Sequence, residues 1–287
     1  MTSDFIESYR GGVRAWECDG FGHFTVAYYF ERVADASAET LAALGAGGAW
    51  QGASYRARFR RELRAGDGFH ILSGPIAVER GHLRLGHKLF NSETGELATT
   101  IEEELRPSST RPLPRARLAR LAAARVAWEE GEAAAAAPAL KGRHFLASAR
   151  DRIKAWEVDG KGGLALSGYV HRTSSASGHL LAAVGMSPAE LRAAKRGFAT
   201  FEIRLELLGR RPRAGAGIAI ETTLLRLGNS SVQMLHRLRE SGTGRAVATL
   251  SQSGVYFDLA TRRSSPIPPE LRAKAAPFLG KRDVPAD

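Results

Sequence analysis

Asp19 and His23 frame a glycine-rich stretch, Asp19-Gly20-Phe21-Gly22-His23, directly ahead of an apolar run with helical spacing. A carboxylate in that place can attack a carbonyl, or take a proton from a water that does so. The first amides of the following helix, around Thr25 and Val26, are unpaired donors at the positive end of the helix dipole and can receive the oxyanion that forms. The plainer use of Asp19 is to cap that helix. His23 is placed to orient Asp19 or the attacking water, or to donate a hydrogen bond at the helix start. Gly20 and Gly22 let the turn take positive φ and let a substrate approach the backbone.

The stretch occurs twice. Trp16-Glu17-Cys18-Asp19-Gly20-Phe21-Gly22-His23 returns as Trp156-Glu157-Val158-Asp159-Gly160-Lys161-Gly162-Gly163, and the match runs without a gap through Tyr29/Tyr169 and Ser37/Ser177 to Gly45/Gly185. The chain therefore reads as two copies of one domain, 1–110 and 147–287, the second with a C-terminal tail, joined by a helical linker over 111–146. The second copy keeps Asp159, but Lys161 stands for Phe21 and Gly163 for His23. The expectation is one working turn and one that has drifted, with Asp159 either a weak second site or only a cap. Lys161 is expected to pair with Asp159 and lower its basicity.

A length of 287 residues accommodates two domains that each bury a core. Hydrophobic residues at 44% and charged residues at 25% are values of a globular protein rather than a disordered or fibrous one. No apolar run approaches the roughly 18 residues that would cross a bilayer, and the N-terminus, with Asp4 and Glu7, lacks the order of a signal peptide. The expectation is a cytoplasmic protein away from membranes. The single cysteine, Cys18, is replaced by Val158 in the other copy and reads as a small buried hydrophobe rather than a nucleophile. The net charge of +11 is mostly arginine spread through both copies, without a basic tail, a zinc-finger spacing or an aromatic RNA-binding motif. Nucleic acid is therefore not the expected partner. Arginines do suit a phosphate-bearing small molecule such as coenzyme A.

Elements must hold these residues in place. A strand over 9–17, or 148–157, leads into each turn. In the first copy Val26, Tyr29, Phe30, Val33, Ala34, Ser37, Leu41 and Leu44 form the apolar stripe of a helix of about five turns that ends at Gly45. Strand patterns follow over 54–64, 69–79, 82–91 and 96–105, and in the second copy over 200–208, 217–227, 231–240 and 245–257, separated by glycine turns. One helix followed by a meander of strands predicts an α+β arrangement, an antiparallel sheet with the helix on one face. Arginine- and alanine-rich 115–128 reads as a helix that covers the sheet rather than one that binds DNA, with a linker over 131–138 and a short C-terminal helix over 270–275. His87 and His236 fall at equivalent strand positions without a second ligand at metal spacing, so no metal site is expected and packing between the copies is favoured. Glu31 and Glu39 lie on the helix, and their counterparts are His171 and His179.

Asp19-x-x-Gly22-His23 between a strand and a long helix, followed by four strands, resembles the hotdog-fold acyl-CoA thioesterases of the 4-hydroxybenzoyl-CoA thioesterase type. The resemblance covers 8–106 and 147–258, with Phe24 and Tyr29 matching and Thr25 and Val26 standing where many members have two asparagines. It implies two tandem hotdog domains, each a long helix wrapped by a curved antiparallel sheet, forming an intrachain pseudo-dimer. The implied function is hydrolysis of an acyl thioester to free acid and thiol, without cofactor. Asp19 is then the base or nucleophile, a backbone amide near Val26 polarises the carbonyl, and Gly22, Phe24, Thr25, Val26 and Tyr29 line the substrate, with His23 assisting. The donor is acyl-CoA or an acyl-carrier protein. A non-catalytic acyl-CoA-binding protein is the other reading, and double-hotdog chains can associate further into homo-oligomers.

Overall fold

The structure, a computed structural model, describes residues 4–48, 50–79, 81–109, 113–129, 140 and 142–280. The linker expected over 131–138 lies outside these. The chain divides into two compact units, Met1–Glu132 and Ala133–Asp287.

In the first unit the strands are β1 (Ile6–Gly12), β2 (Trp50–Phe59), β3 (Gly68–Glu79), β4 (His82–Asn91) and β5 (Leu97–Pro107), with the helix α1 (Val26–Ala43) between β1 and β2. They pair antiparallel in the order β1-β3-β4-β5-β2. The helix carries its apolar stripe into the sheet: Ala27, Phe30, Val33 and Ala36 are buried against it. Gly45, at φ +63°, ends the helix in the left-handed conformation that glycine favours, its N–H donating to the Ala42 carbonyl.

Beyond β5 the helix α2 (Arg115–Ala123) buries Leu121 in a cluster with Leu41, Leu83, Leu85 and Leu105. It stops short of the expected 128 because the chain then runs extended along the sheet. The Val126 N–H donates to the Pro75 carbonyl at 2.9 Å, Val126 lies over Gly74, and Trp128 lies over Gly86. A Cβ on Gly86 would stand 2.5 Å from the Trp128 ring, so this close approach requires glycine.

The second unit repeats the plan. Its strands are β6 (Leu146–Arg152), β7 (Arg196–Leu207), β8 (Gly217–Leu227), β9 (Ser231–Glu240) and β10 (Ala246–Asp258), paired antiparallel in the order β7-β10-β9-β8-β6 around α3 (Leu166–Ala183). A short helix α4 (Pro188–Ala193), capped by Ser187 and Glu190, has no counterpart in the sequence reading. The C-terminal helix α5 (Pro269–Ala275) and the residues after it place Ile267, Ala275, Phe278 and Leu279 in one cluster with Leu180, Leu224 and Met234. Each repeat is thus a hotdog, a helix wrapped by a five-stranded antiparallel sheet.

The strand expected to run unbroken into each turn ends early, at Gly12 and Arg152, and a single 3-10 turn follows, Ala15–Glu17 or Ala155–Glu157. Its tryptophans point outward: Trp16 is 72% exposed and Trp156 82%.

Candidate active site at the first-repeat turn

Glu17 and Arg32 fix the turn to the helix. The Glu17 carboxylate accepts the Arg14 N–H at 3.0 Å and pairs, buried, with the Arg32 guanidinium on α1. Glu157 does the same, with the Lys154 N–H at 2.7 Å and Arg172 at 2.8 Å, while Asp151 adds a second carboxylate to Arg172 at 2.9 Å. The backbone completes the hold. Phe24 N–H donates to the Leu63 carbonyl at 2.7 Å and Thr25 N–H to the Glu17 carbonyl at 2.9 Å.

Asp19 is exposed on this frame. Its Oδ1 accepts the N–H groups of Phe21 and His23 at 2.8 and 3.0 Å, and Gly22, at φ +78°, closes the loop by donating to the Asp19 carbonyl. Among the described residues Oδ2 has no partner. The Thr25 amide, expected to be a free donor, is taken by Glu17. The amides of Val26 and Ala27, the first two residues of α1, are the ones without partners.

His23 meets Asp19 only through its backbone. Its Nε2 lies 3.1 Å from Glu62 Oε2 and 3.1 Å from Arg64 Nη2. A protonated Nε2 donates to Glu62, and an unprotonated one accepts from Arg64. Phe24 and Tyr29, expected to line the substrate, are core residues at 4% and 2% exposure, their rings 4.6 Å apart, with Phe59 at 5.3 Å from Tyr29. Burial pushes the Tyr29 phenol up. They form the floor under the turn, and the aromatic that faces solvent there is Phe21.

Cys18 is half-buried and free, its thiol donating to the Arg14 carbonyl at 3.7 Å. Burial, followed by the neighbouring Asp19 charge, raises its pKa, which suits packing rather than attack.

The second turn has the same backbone and different charges. Asp159 Oδ1 accepts the N–H groups of Lys161 and Gly163 at 2.9 and 3.3 Å. Its Oδ2 is held by Arg211 Nη1 at 2.6 Å, so Arg211 forms the ion pair expected of Lys161. Partial burial works to raise the Asp159 pKa, but the Arg211 hydrogen bond and charge, with the two amides, hold it below the usual carboxylate range. Leu164 N–H donates to Pro212 as Phe24 N–H does to Leu63, which sets Arg211 opposite Glu62 in the repeat. Loss of the imidazole admits the arginine: a Cβ on Gly163 would stand 3.0 Å from both Cβ and Nε of Arg211.

His87 and His236 are buried inside their own repeats. His87 Nδ1 bonds Ser73 Oγ at 2.7 Å, which bonds Ser8 Oγ at 2.7 Å, and His87 Nε2 lies 3.4 Å from the buried Glu103. His236 Nδ1 bonds Thr222 Oγ1 at 2.8 Å and its Nε2 meets Ser177 Oγ at 3.2 Å, with Gln252 beyond at 2.7 Å from that hydroxyl. These polar ladders tie strand to strand within each sheet and, in the second repeat, sheet to helix. Among the described residues no group of three or more His, Cys, Asp or Glu side chains is arranged to hold a metal. Glu31 pairs with Arg32. Its counterpart His171, with His179 and Ser175, lines a cavity of about 380 Å³ between α3 and the strands β6 and β8; at the position of Ala149 in that lining the first repeat has Tyr9, stacked on Phe69.

The family model of the thioesterase-like superfamily matches residues 13–111 and 153–275, both repeats. The chain belongs to the thioesterase-like superfamily. Its chemistry is thioester hydrolysis, and its fold is a tandem pair of hotdogs. No curated protein sequence matches it. Among solved structures it is similar to an acyl-ACP thioesterase from Bacteroides thetaiotaomicron VPI-5482, at 10% identity and a TM-score of 0.67, over 87% of this chain and 96% of that one. It is also similar to a 12:0-ACP thioesterase from Umbellularia californica, at 12% identity and a TM-score of 0.60, over 87% and 93%. At such identities the likeness concerns the fold, and it extends across both repeats. No helix of the described residues is long and apolar enough to cross a membrane.

Proposed function

We propose that the chain hydrolyses an acyl-CoA thioester at the first-repeat turn, with Asp19 as the base, the Val26 amide as oxyanion donor, and His23 as an assisting group steadied by Glu62. The observation that carries this reading is the state of the two carboxylates. Asp19 keeps Oδ2 open, whereas Asp159 has both oxygens engaged, one of them by Arg211. Water loses a proton to Asp19 Oδ2 as its oxygen bonds the carbonyl carbon. The oxyanion collapses, the carbon–sulfur bond breaks, and the thiolate takes the proton back, leaving acid and thiol.

A carrier-protein thioester is the second reading, favoured by the likeness to two acyl-ACP thioesterases over 87% of the chain. The experiment is a hydrolysis screen of the wild type and Asp19→Asn over short, long and aromatic acyl-CoAs and the matching acyl-carrier proteins. Hydrolysis that depends on Asp19 supports the reading and names the donor. Binding without turnover makes the chain an acyl-CoA-binding protein, and full turnover without Asp19 moves the chemistry elsewhere.

A further inference from the structure

We propose that the second-repeat turn is an anion-binding site for a multiply phosphorylated small molecule, a role separate from hydrolysis. Five cations lie on this turn and on the segments that face it: Lys161, Arg210, Arg211, Arg213 and Arg245. The carboxylates with them are two, Asp159 on Arg211 and Glu240 on Arg245 at 2.6 Å. Phe21, Arg61, Glu62, Arg64 and Glu96 hold the corresponding places in the first repeat. There two arginines face four carboxylates, because Asp19 and Asp67 join Glu62 and Glu96, and Ala216 takes the place of Asp67 in the second repeat.

The geometry follows the exchange of sign. Arg61 pairs with Glu96 at 3.6 Å in the first repeat. In the second, Arg245 stands where Glu96 does in the first, and its Nη1 donates to the backbone carbonyl of Arg210 at 2.8 Å. Above the turn, Arg211 lies over Gly163, and Arg213 Nη1 comes within 3.2 Å of where a Cβ on Gly162 would be. The equivalent Gly22 has nothing within 4 Å. Two guanidinium groups thus stand over a glycine turn that is bare in the other copy. Lys161 and Arg213 have no ion-pair partner among the described residues, and Arg210 shares the single charge of Glu240 with Arg245.

Like charges gathered on one turn oppose each other unless an anion joins them. The single charge of Asp159 is already matched by Arg211, so the remaining three cations call for a ligand with more than one negative charge. Guanidinium groups bind phosphate oxygens through paired N–H bonds, which makes a pyrophosphate or a phosphorylated nucleotide the fitting class. Two sources present that chemistry, the free anion and the nucleotide part of a thiol carrier such as coenzyme A.

The test is calorimetric titration of the full chain at low salt with inorganic pyrophosphate, coenzyme A, 3′-dephospho-coenzyme A and pantetheine, the last without phosphate. We expect the phosphorylated ligands to bind and pantetheine to fail. Lys161→Gln/Arg213→Gln should weaken them by about tenfold or more, while Arg61→Gln/Arg106→Gln, which removes two cations from the first repeat, leaves binding unchanged. Coenzyme A bound more tightly than pyrophosphate assigns the site to the nucleotide, and equal binding assigns it to the free anion. Phosphorylated ligands that bind the Lys161/Arg213 variant as well as the wild type, or that bind no better than pantetheine, overturn the proposal. An unchanged thermal midpoint confirms that the variants fold, and because inorganic pyrophosphate carries no thiol arm, its titration does not depend on which turn hydrolyses.

Discussion

Glu62 Oε2 stands 3.1 Å from His23 Nε2, and it is this residue that the repeat exchanges for Arg211, which grips Asp159. One reversal of sign leaves the first carboxylate open and closes the second. In the proposed reaction Glu62 would act through His23, as a positioning residue. Glu62→Gln should lower kcat by about tenfold with little change in KM, and Glu62→Asp should recover part of the loss. Steady-state kinetics that show the same kcat in wild type and Glu62→Gln remove Glu62 from the reaction.

Asp19→Asn keeps the oxygen that accepts the Phe21 and His23 amides and loses the charge on the open one. Turnover should fall on the order of 100-fold, with the circular dichroism spectrum unchanged. Asp159→Asn should leave turnover within a few-fold, since that carboxylate is already occupied, and cost about 1 kcal/mol or less of stability. Equal losses in the two variants would show that both turns work.

His236 supplies a pH dependence of stability. Complete burial depresses its pKa from 6.5 to about 3, the hydrogen-bonding partner Gln252 offsetting only part. Between those values the unfolded chain binds a proton that the native chain refuses. The contribution is therefore fully present above about pH 6.5 and is lost progressively as pH falls towards 3. His236→Asn, which can still meet Thr222, should flatten the slope of unfolding free energy against pH in this window by one proton. Denaturant titrations at several pH values measure it, and an unchanged slope contradicts a neutral buried imidazole.

Arg32→Met should destabilise the chain by about 3 kcal/mol, because it leaves the buried Glu17 carboxylate without its cation. Arg32→Met/Glu17→Gln should recover much of the loss. Thermal or denaturant unfolding checks both, and a double variant no better than the single would mean that the pair is not coupled.

The turn itself was legible because its signals are local: an acid, alternating glycines and a helical stripe within a few residues. Its partners were not. Glu62 and Arg64 reach His23 from a loop far along the chain, and nothing near either residue marks the meeting. The clue lay in the repeat, since the offset that sets His87 on His236 also sets Glu62 on Arg211. Tyr29 departs from its expected place for the opposite reason. An amphipathic stripe identifies which residues share a helix face but not whether that face meets substrate or core, and here it meets Phe24 and Phe59. α2 ends before its composition predicts because Val126 and Trp128 follow the sheet, where Gly74 and Gly86 make room, rather than the local preference for helix.

Trp16 and Trp156 stand in the 3-10 turns three residues before Asp19 and Asp159, open to solvent, whereas Trp50 is buried in the first core and Trp128 covers Gly86. The protein thus carries its own pair of optical reporters, one indole at each turn. Replacing Trp16 or Trp156 singly by phenylalanine would leave one turn bright to collisional quenchers and darken the other. Occupancy of the two turns then becomes separable by fluorescence in the same molecule, without any added label.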